Sequence, residues 1–194
     1  MAAKSSATQA HRRSVDLDAL TLIGHNLLVA LGEDPEREGL KGTPLRWARA
    51  WAEFVDYDPG SLDATFESVQ TDQMVVVSGI HVWSMCEHHL LPFSCEVAIG
   101  YIATDRVLGL SKFARICHLY AHGLQLQERL TEQIADDVQG FTKAEDVAVL
   151  CCGQHLCTTM RGIRTPSTMK TSVMRGAFRE SPEARAEFLS IAGY

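Results

Sequence analysis

The sequence predicts an α+β fold on an antiparallel sheet, and three observations carry that reading. The 194 residues are 46% hydrophobic and 22% charged, enough apolar material for one core of the usual ~100–200-residue domain. The β-rich stretches come as neighbours along the chain. Their order is helices, hairpin, helices, hairpin, without the βαβ alternation that builds a parallel sheet. Such a composition excludes disordered, collagen-like and mini-protein classes. No run approaches the roughly 18 consecutive apolar residues of a membrane helix, so no membrane association is expected.

Residues 1–14, MAAKSSATQAHRRS, are polar and basic, and read as a flexible N-terminal arm rather than a secretion signal. Residues 15–194 form the expected domain, with a helical part over 15–60 and a sheet-containing part over 70–194. In the helical part Leu17, Leu20, Leu22, Ile23, Leu27, Leu28 and Leu31 recur at helical spacing, stopped by Gly32 and Pro35. Thr43-Pro44 reads as an N-cap with proline at the first helical position. The helix it opens carries Leu45, Trp47, Ala48, Trp51 and Phe54, with the Trp pair expected in the core, and closes near Pro59-Gly60.

Strands are expected over 74–84 (MVVVSGIHVWS) and 94–103 (SCEVAIGYIA), rich in β-branched and aromatic types. A titratable turn, MCEHHLLPF, links them. A helix follows from Ser111 with Phe113, Ile116, Leu119 and Tyr120 on one face, and resumes after Gly123 over 125–140. Short strands are expected at 146–153 (DVAVLCCG) and 155–163 (HLCTTMRGI), then a loop, TPSTMKTS, and a final helix, SPEARAEFLSIA.

The formal charge is −6, from 18 Lys+Arg against 24 Asp+Glu. A nucleic-acid partner is therefore not expected. Between Arg161 and Arg179 five cations (Arg161, Arg164, Lys170, Arg175, Arg179) occur with no acid, an island suited to a small polyanion or a surface partner. The six cysteines read as cytosolic thiols, some of them metal ligands, and the location as cytoplasmic.

Cys86-Glu87-His88-His89 lies at a strand-to-turn junction and His155-Leu156-Cys157 at an expected strand start. Cys86 and His89 can converge in a turn, and residues two apart in a strand face one side. Cys86, His89 and Cys157 then give two thiolates and an imidazole, with a fourth position open as in catalytic zinc. His88 and His155 remain beside the metal. They serve either as general acid and base or as hydrogen-bonding groups that orient a ligand. His118 and His122 have metalloprotease spacing, but Leu119 stands where the glutamate base belongs, so a packed or solvated helix face is expected. Cys95, Cys151 and Cys152 read as core thiols. Neither phosphate-binding glycine motif is present, nor is the zinc-deaminase pattern, so nucleotide phosphates would have to be held by side chains.

The blocks TPLRWA (43–48), MCEHHLLPF (85–93), GLSKFARI (109–116), LQLQERLTEQIA (124–135), HLCTTMRGI (155–163) and GAFRESPEARAEFL (176–189) resemble GTP cyclohydrolase I in sequence and spacing, across about residues 17–191. The resemblance implies the tunnelling fold (T-fold): an antiparallel sheet with helices packed on one side, closed into a barrel by oligomerisation. It further implies a homodecamer of two stacked pentamers with active sites between subunits. It implies Zn²⁺ as cofactor, with Cys86, His89 and Cys157 as ligands and His88 and His155 as catalytic histidines. Ser111 would act near the sugar, and Glu128 with Gln127 would hold guanine. Lys112, Arg115, Arg161 and Arg46 would hold the triphosphate, as guanidinium forks suit phosphate oxygens.

The implied activity is conversion of GTP and water to 7,8-dihydroneopterin triphosphate and formate, the first step of pterin and tetrahydrofolate biosynthesis. Two other readings stand beside it: a tunnelling-fold relative acting on another purine or pterin, and a non-catalytic zinc protein. Each would be expected to lose part of the ligand and histidine set, which is complete here. The stretch 161–178 is slightly shorter than the family's usual form, and Lys170 stands where hydroxyl residues are usual.

Overall fold

Helix α1 (Leu17–Ala30) begins where the Asp16 side chain accepts the Ala19 N–H at 2.9 Å, and ends at Leu31 before a left-handed Gly32. This is a computed structural model, and it describes residues 14–62, 65–67, 72–104 and 106–194; the expected arm lies, except for Ser14, outside them. The chain divides into two units, Met1–Asp58 and Pro59–Tyr194.

In the first unit α1 is followed by α2 (Thr43–Val55). Thr43 is already helical rather than the cap, because the Gly42 carbonyl accepts the Arg46 N–H at 3.1 Å and so starts the helix one residue earlier. The helices approach closely at Gly24, where a Cβ would lie 3.1 Å from Trp47 Cε3. Trp47 and Trp51 meet edge to face at 6.1 Å but are only half-buried, which corrects the expectation of a core pair. Leu22, Ile23, Leu27 and Val29 are about half exposed or more, so the leucine periodicity marks the helix without its burial in this chain.

The second unit is built on a five-stranded sheet. Its elements are β1 (Thr65–Glu67), β2 (Gln73–Cys86), β3 (Leu91–Ala103), β4 (Arg106–Leu108), α3 (Leu110–Ala121), β5 (Leu124–Gln125), α4 (Gln127–Thr142), β6 (Val147–His155), α5 (Leu156–Thr159), β7 (Thr168–Met174), α6 (Ala177–Glu180) and α7 (Pro182–Ala192). The sheet order is β5-β2-β3-β6-β7, antiparallel except where β5 runs parallel to the end of β2; β1 and β4 pair separately. A bulge interrupts the β2–β3 register between Val77 and Ile80, with Gly79 left-handed at φ 74°.

Alternation sorts the two faces. Phe93, Cys95, Val97, Ile99 and Tyr101 of β3 join Val147, Val149 and Cys151 of β6 in one core with Phe113 and Ile116 of α3 and Leu130, Ile134 and Val138 of α4. Each such aliphatic or aromatic burial is worth roughly 1.5–3 kcal/mol. The opposite face carries Ala98, Ala148 and Leu150 against Phe178 of α6 and Phe188 of α7. Gly100 makes room for that packing, since a Cβ there would lie 2.6 Å from the Phe188 ring. Helices therefore cover both faces, where one side was expected. The C-terminal segment carries two aromatics (Phe178 and Phe188) that need a second apolar surface.

The expected strand at 155–163 is absent. Thr158 and Thr159 hydroxyls donate to the His155 carbonyl at 3.0 and 3.2 Å, and Met160 N–H bonds Leu156 O, which winds the segment into α5. The partner of β6 is instead β7, inside the stretch expected as a loop, with Cys152 opposite Lys170.

Candidate metal centre and its surroundings

The backbone shapes the first half of the centre. Between Cys86 at the end of β2 and Leu91 at the start of β3, the amides of His89 and Leu90 both bond the Cys86 carbonyl, at 3.3 and 2.8 Å, and Leu90 is left-handed at φ 53°. This tight turn sets His89 Nδ1 3.8 Å from the buried Cys86 sulfur. Cys157 completes the group from α5, not from a strand as the two-residue spacing suggested. The ligand atoms of Cys86, His89 and Cys157 all lie within 4.8 Å of one another.

Burial raises the Cys157 thiol above its ordinary pKa, and the neighbouring Cys86 thiol raises it further; Arg161 acts in the opposite sense. Two thiols pressed together resist ionising in each other's presence, and a divalent cation removes that conflict by taking both as thiolates. Two sulfurs and one imidazole, with no carboxylate, form a donor set that suits zinc.

His155, the last residue of β6, lies in a firmer setting. Its ring stacks on Phe93 at 4.5 Å and 7°, and its Nε2 lies 2.9 Å from Gln127 Oε1. Burial lowers its pKa, opposed by the negative charge of Glu128. Gln127, 1% exposed, directs its amide nitrogen at Cys151 O, Met169 O and Thr171 Oγ1, at 3.0, 3.0 and 3.2 Å. His88 is exposed on the turn, its ring perpendicular to that of His89 at 6.2 Å.

The remaining expected residues are spread over several elements. Glu128 is exposed in the first turn of α4, and Ser111 in that of α3. Lys112, only 9% exposed, donates to Ser61 O at 2.5 Å, and Arg115 donates to Pro59 O at 2.8 Å. Arg161 is exposed in the segment after α5. Arg46 belongs to the first unit, where it donates to Thr43 Oγ1 at 2.9 Å. The basic island is not uniformly free: Arg175 donates to Glu132, to Asp136 at 2.7 Å and to Gln139 at 2.8 Å. Lys170 stands over the Tyr194 ring at 5.0 Å. Cys95 and Cys151 are core thiols as expected, burial pushing Cys151 up to about 12; Cys152 is only partly buried.

Residue-by-residue reading gave no role to three polar residues that tie the turn to α4. Glu87 pairs with Arg129, whose Nε donates to Gln125 Oε1 at 2.6 Å. The Gln125 amide also donates to Tyr120 O and Gln133 Oε1 at 3.0 and 2.9 Å. All three residues lie inside the quoted motifs. Their partners come from other elements, and local spacing carries no signal for such pairs.

The sequence matches the family model of GTP cyclohydrolase I over residues 23–193. It is 50% identical to the GTP cyclohydrolase 1 of Chromohalobacter salexigens, over 86% of this chain and 93% of that one. The GTP cyclohydrolase 1 of Dehalococcoides mccartyi is 47% identical over 91% and 96% of the two chains. Among solved structures, the archaeosine synthase QueF-Like in the apo form is 17% identical and covers 55% of this chain and 97% of its own, at a TM-score of 0.45. That likeness is too low to bear on the fold.

Proposed function

Since the chain belongs to the GTP cyclohydrolase I family, a family of hydrolases that convert GTP in pterin biosynthesis, we propose that it forms 7,8-dihydroneopterin triphosphate and formate at a zinc site made by Cys86, His89 and Cys157. The observation that carries this reading is the convergence of those three ligand atoms from β2, its turn and α5. Bound there, zinc acts as a Lewis acid that makes water nucleophilic near neutral pH.

The chain's own residues do the rest. A histidine protonates purine N7 while water adds at C8. Cleavage of the C8–N9 bond then opens the ring to a formamide on N7, and a second water hydrolyses that formamide and releases formate. The exposed aminopyrimidine and the ribose rearrange, with Ser111 near the sugar, and closure of the dihydropterin returns one water. His155, whose pKa burial lowers, is suited to accept protons at neutral pH, and His88 on the exposed turn is suited to exchange them with solvent. The Glu128 carboxylate matches the N1–H and N2–H₂ donors of guanine. Arg161, Arg115, Lys112 and Arg46 hold the triphosphate, with Lys112 and Arg115 exchanging carbonyl partners for phosphate oxygens.

Residues 15–194 constitute the family's domain, its sheet a tunnelling fold whose barrel closes in a homodecamer with active sites between subunits. Two features support assembly. Among the described residues the edge of β2 away from β3, over Gln73–Ser84, and the outer edge of β7 have no strand partner, and open edges of this length are normally covered. Helix α1 also leaves Leu22, Ile23 and Val29 exposed. Six free cysteines suit the reducing cytoplasm, and no described helix is long and apolar enough to cross a membrane.

The test is incubation of the zinc-loaded protein with GTP, following formate and dihydropterin absorbance together. Both should form, and both should be lost on chelation and regained with zinc. Zinc-loaded, assembled protein that yields neither product would overturn the reading.

A further inference from the structure

We propose that Gln127 is a positioning residue that holds His155 as its Nε2–H tautomer, leaving Nδ1 as the nitrogen through which this histidine exchanges protons with substrate. The second half of that statement rests on the GTP reading above; the tautomer itself does not.

The assignment follows from counting donors. The Gln127 amide nitrogen faces two backbone carbonyls, Cys151 O and Met169 O, both at 3.0 Å. Carbonyls only accept, so this end of the amide must be the NH₂; reversing it would set an oxygen against two oxygens. The Thr171 hydroxyl, 3.2 Å away, is a further acceptor, and is itself 2.6 Å from Thr131 Oγ1. Gln127 Oε1 can then only accept, and it lies 2.9 Å from His155 Nε2. That nitrogen must therefore donate. A neutral imidazole carries one ring proton, so the lone pair falls to Nδ1.

The arrangement has a seat built for it. Gly153, on β6 beside His155, would with a Cβ come within 2.0 Å of Gln127 Oε1 and 2.9 Å of Cys95 Sγ. Any side chain there would push the amide off the histidine. Phe93, stacked at 4.5 Å, fixes the plane of the ring that Gln127 fixes in tautomer. Both amide hydrogens are taken by protein acceptors, so the Gln127 side chain orients a histidine rather than holding guanine. Partners that set a histidine's tautomer are worth ~10–100-fold in comparable sites, and a wrong tautomer can cost more.

Neutron diffraction from crystals of the zinc-loaded protein without nucleotide reads the tautomer directly. A deuteron on His155 Nε2 is expected; an Nε2 without one overturns the proposal, whether or not GTP is the substrate. Kinetics read the consequence. Gln127→Met and Gly153→Ala should each lower kcat for formate release by ~10–100-fold while KM for GTP stays within about threefold, the pattern of a group acting on the chemical step. A raised KM with unchanged kcat in Gln127→Met would place the residue on guanine and overturn the proposal, as would no change in either constant. Should Gln127→Met fail to fold, Gly153→Ala and the neutron map decide. A wild-type protein that releases no formate would sink the GTP reading alone.

Discussion

The turn after β2 and the end of β6 each carry a histidine proposed for the same chemistry, and they hold it by opposite means. In the turn, shape comes from the backbone: two amides on the Cys86 carbonyl and a left-handed Leu90, with the His88 side chain left in solvent. At the end of β6, shape comes from distant side chains. Phe93 supplies a stacking plane, Gln127 an acceptor and Gly153 the space for it. A proposed metal ligand such as His89 needs direction, which a turn provides. A histidine proposed to exchange protons with solvent, such as His88, tolerates exposure. One proposed to present a chosen nitrogen to substrate, such as His155, needs direction, tautomer and partial dehydration together, which packed surroundings provide.

The largest effect should come from the proposed metal ligands, Cys86 and His89 on either side of His88 and Cys157 just after His155. Cys157→Ala should abolish zinc retention and lower formate release at least ~10³-fold, the scale seen when a group central to the chemistry is removed; metal analysis beside a formate assay checks it. Next come the histidines themselves. His155→Ala and His88→Ala should keep zinc yet slow single-turnover ring opening by ~10²–10⁴-fold. Unchanged rates in both would remove the contrast altogether.

A smaller effect separates packing from chemistry. Phe93 is fully buried beneath His155, so Phe93→Leu should cost about 1–2 kcal/mol in urea unfolding. It should also lower kcat more than KM.

The smallest concerns His118 on α3, which burial and then His122 hold below the ordinary histidine pKa. As pH falls through about 6.5, the unfolded chain takes up a proton that the folded chain refuses. His118 therefore erodes stability on acidification until its own lower pKa is passed. His118→Gln should flatten that slope in unfolding measurements between neutral and mildly acidic pH, and leave GTP turnover unchanged. A loss of turnover would mean that a depressed histidine pKa marks function here without the setting that His155 enjoys.

The contrast also explains what the sequence made legible. Cys86, His89 and their turn could be read locally, because three residues of spacing and a flanking hairpin determine the geometry. Strands β2, β3 and β6 were visible for the same reason, from alternation of β-branched residues. The segment after His155 was not. HLCTTMRGI has strand-like composition, and the Thr158 and Thr159 hydroxyls, turned back on the His155 carbonyl, together with the Met160 N–H on Leu156 O, wind it into α5. Cys157 thus joined the ligand group by a route other than strand alternation, and β7 formed in a stretch that read as a loop. Gln127 reads as a substrate contact from its motif; the bonds to Cys151, Met169 and His155 that motivate the positioning role proposed above come from β6 and β7, and a buried amide's partners are set by tertiary packing. The second helical layer was equally hidden: Phe178 and Phe188 are ordinary apolar residues of short helices until Gly100 opens the sheet face beneath them.

The most direct test of the whole account is stepwise zinc reconstitution of the metal-free protein, with formate release from GTP measured at each step. The account expects release to be absent without metal, to rise in proportion to zinc bound, and to saturate at one zinc per chain, with no such rise in Cys157→Ala. Full formate release from metal-free protein, or zinc-dependent release that survives loss of the Cys157 thiol, would contradict it.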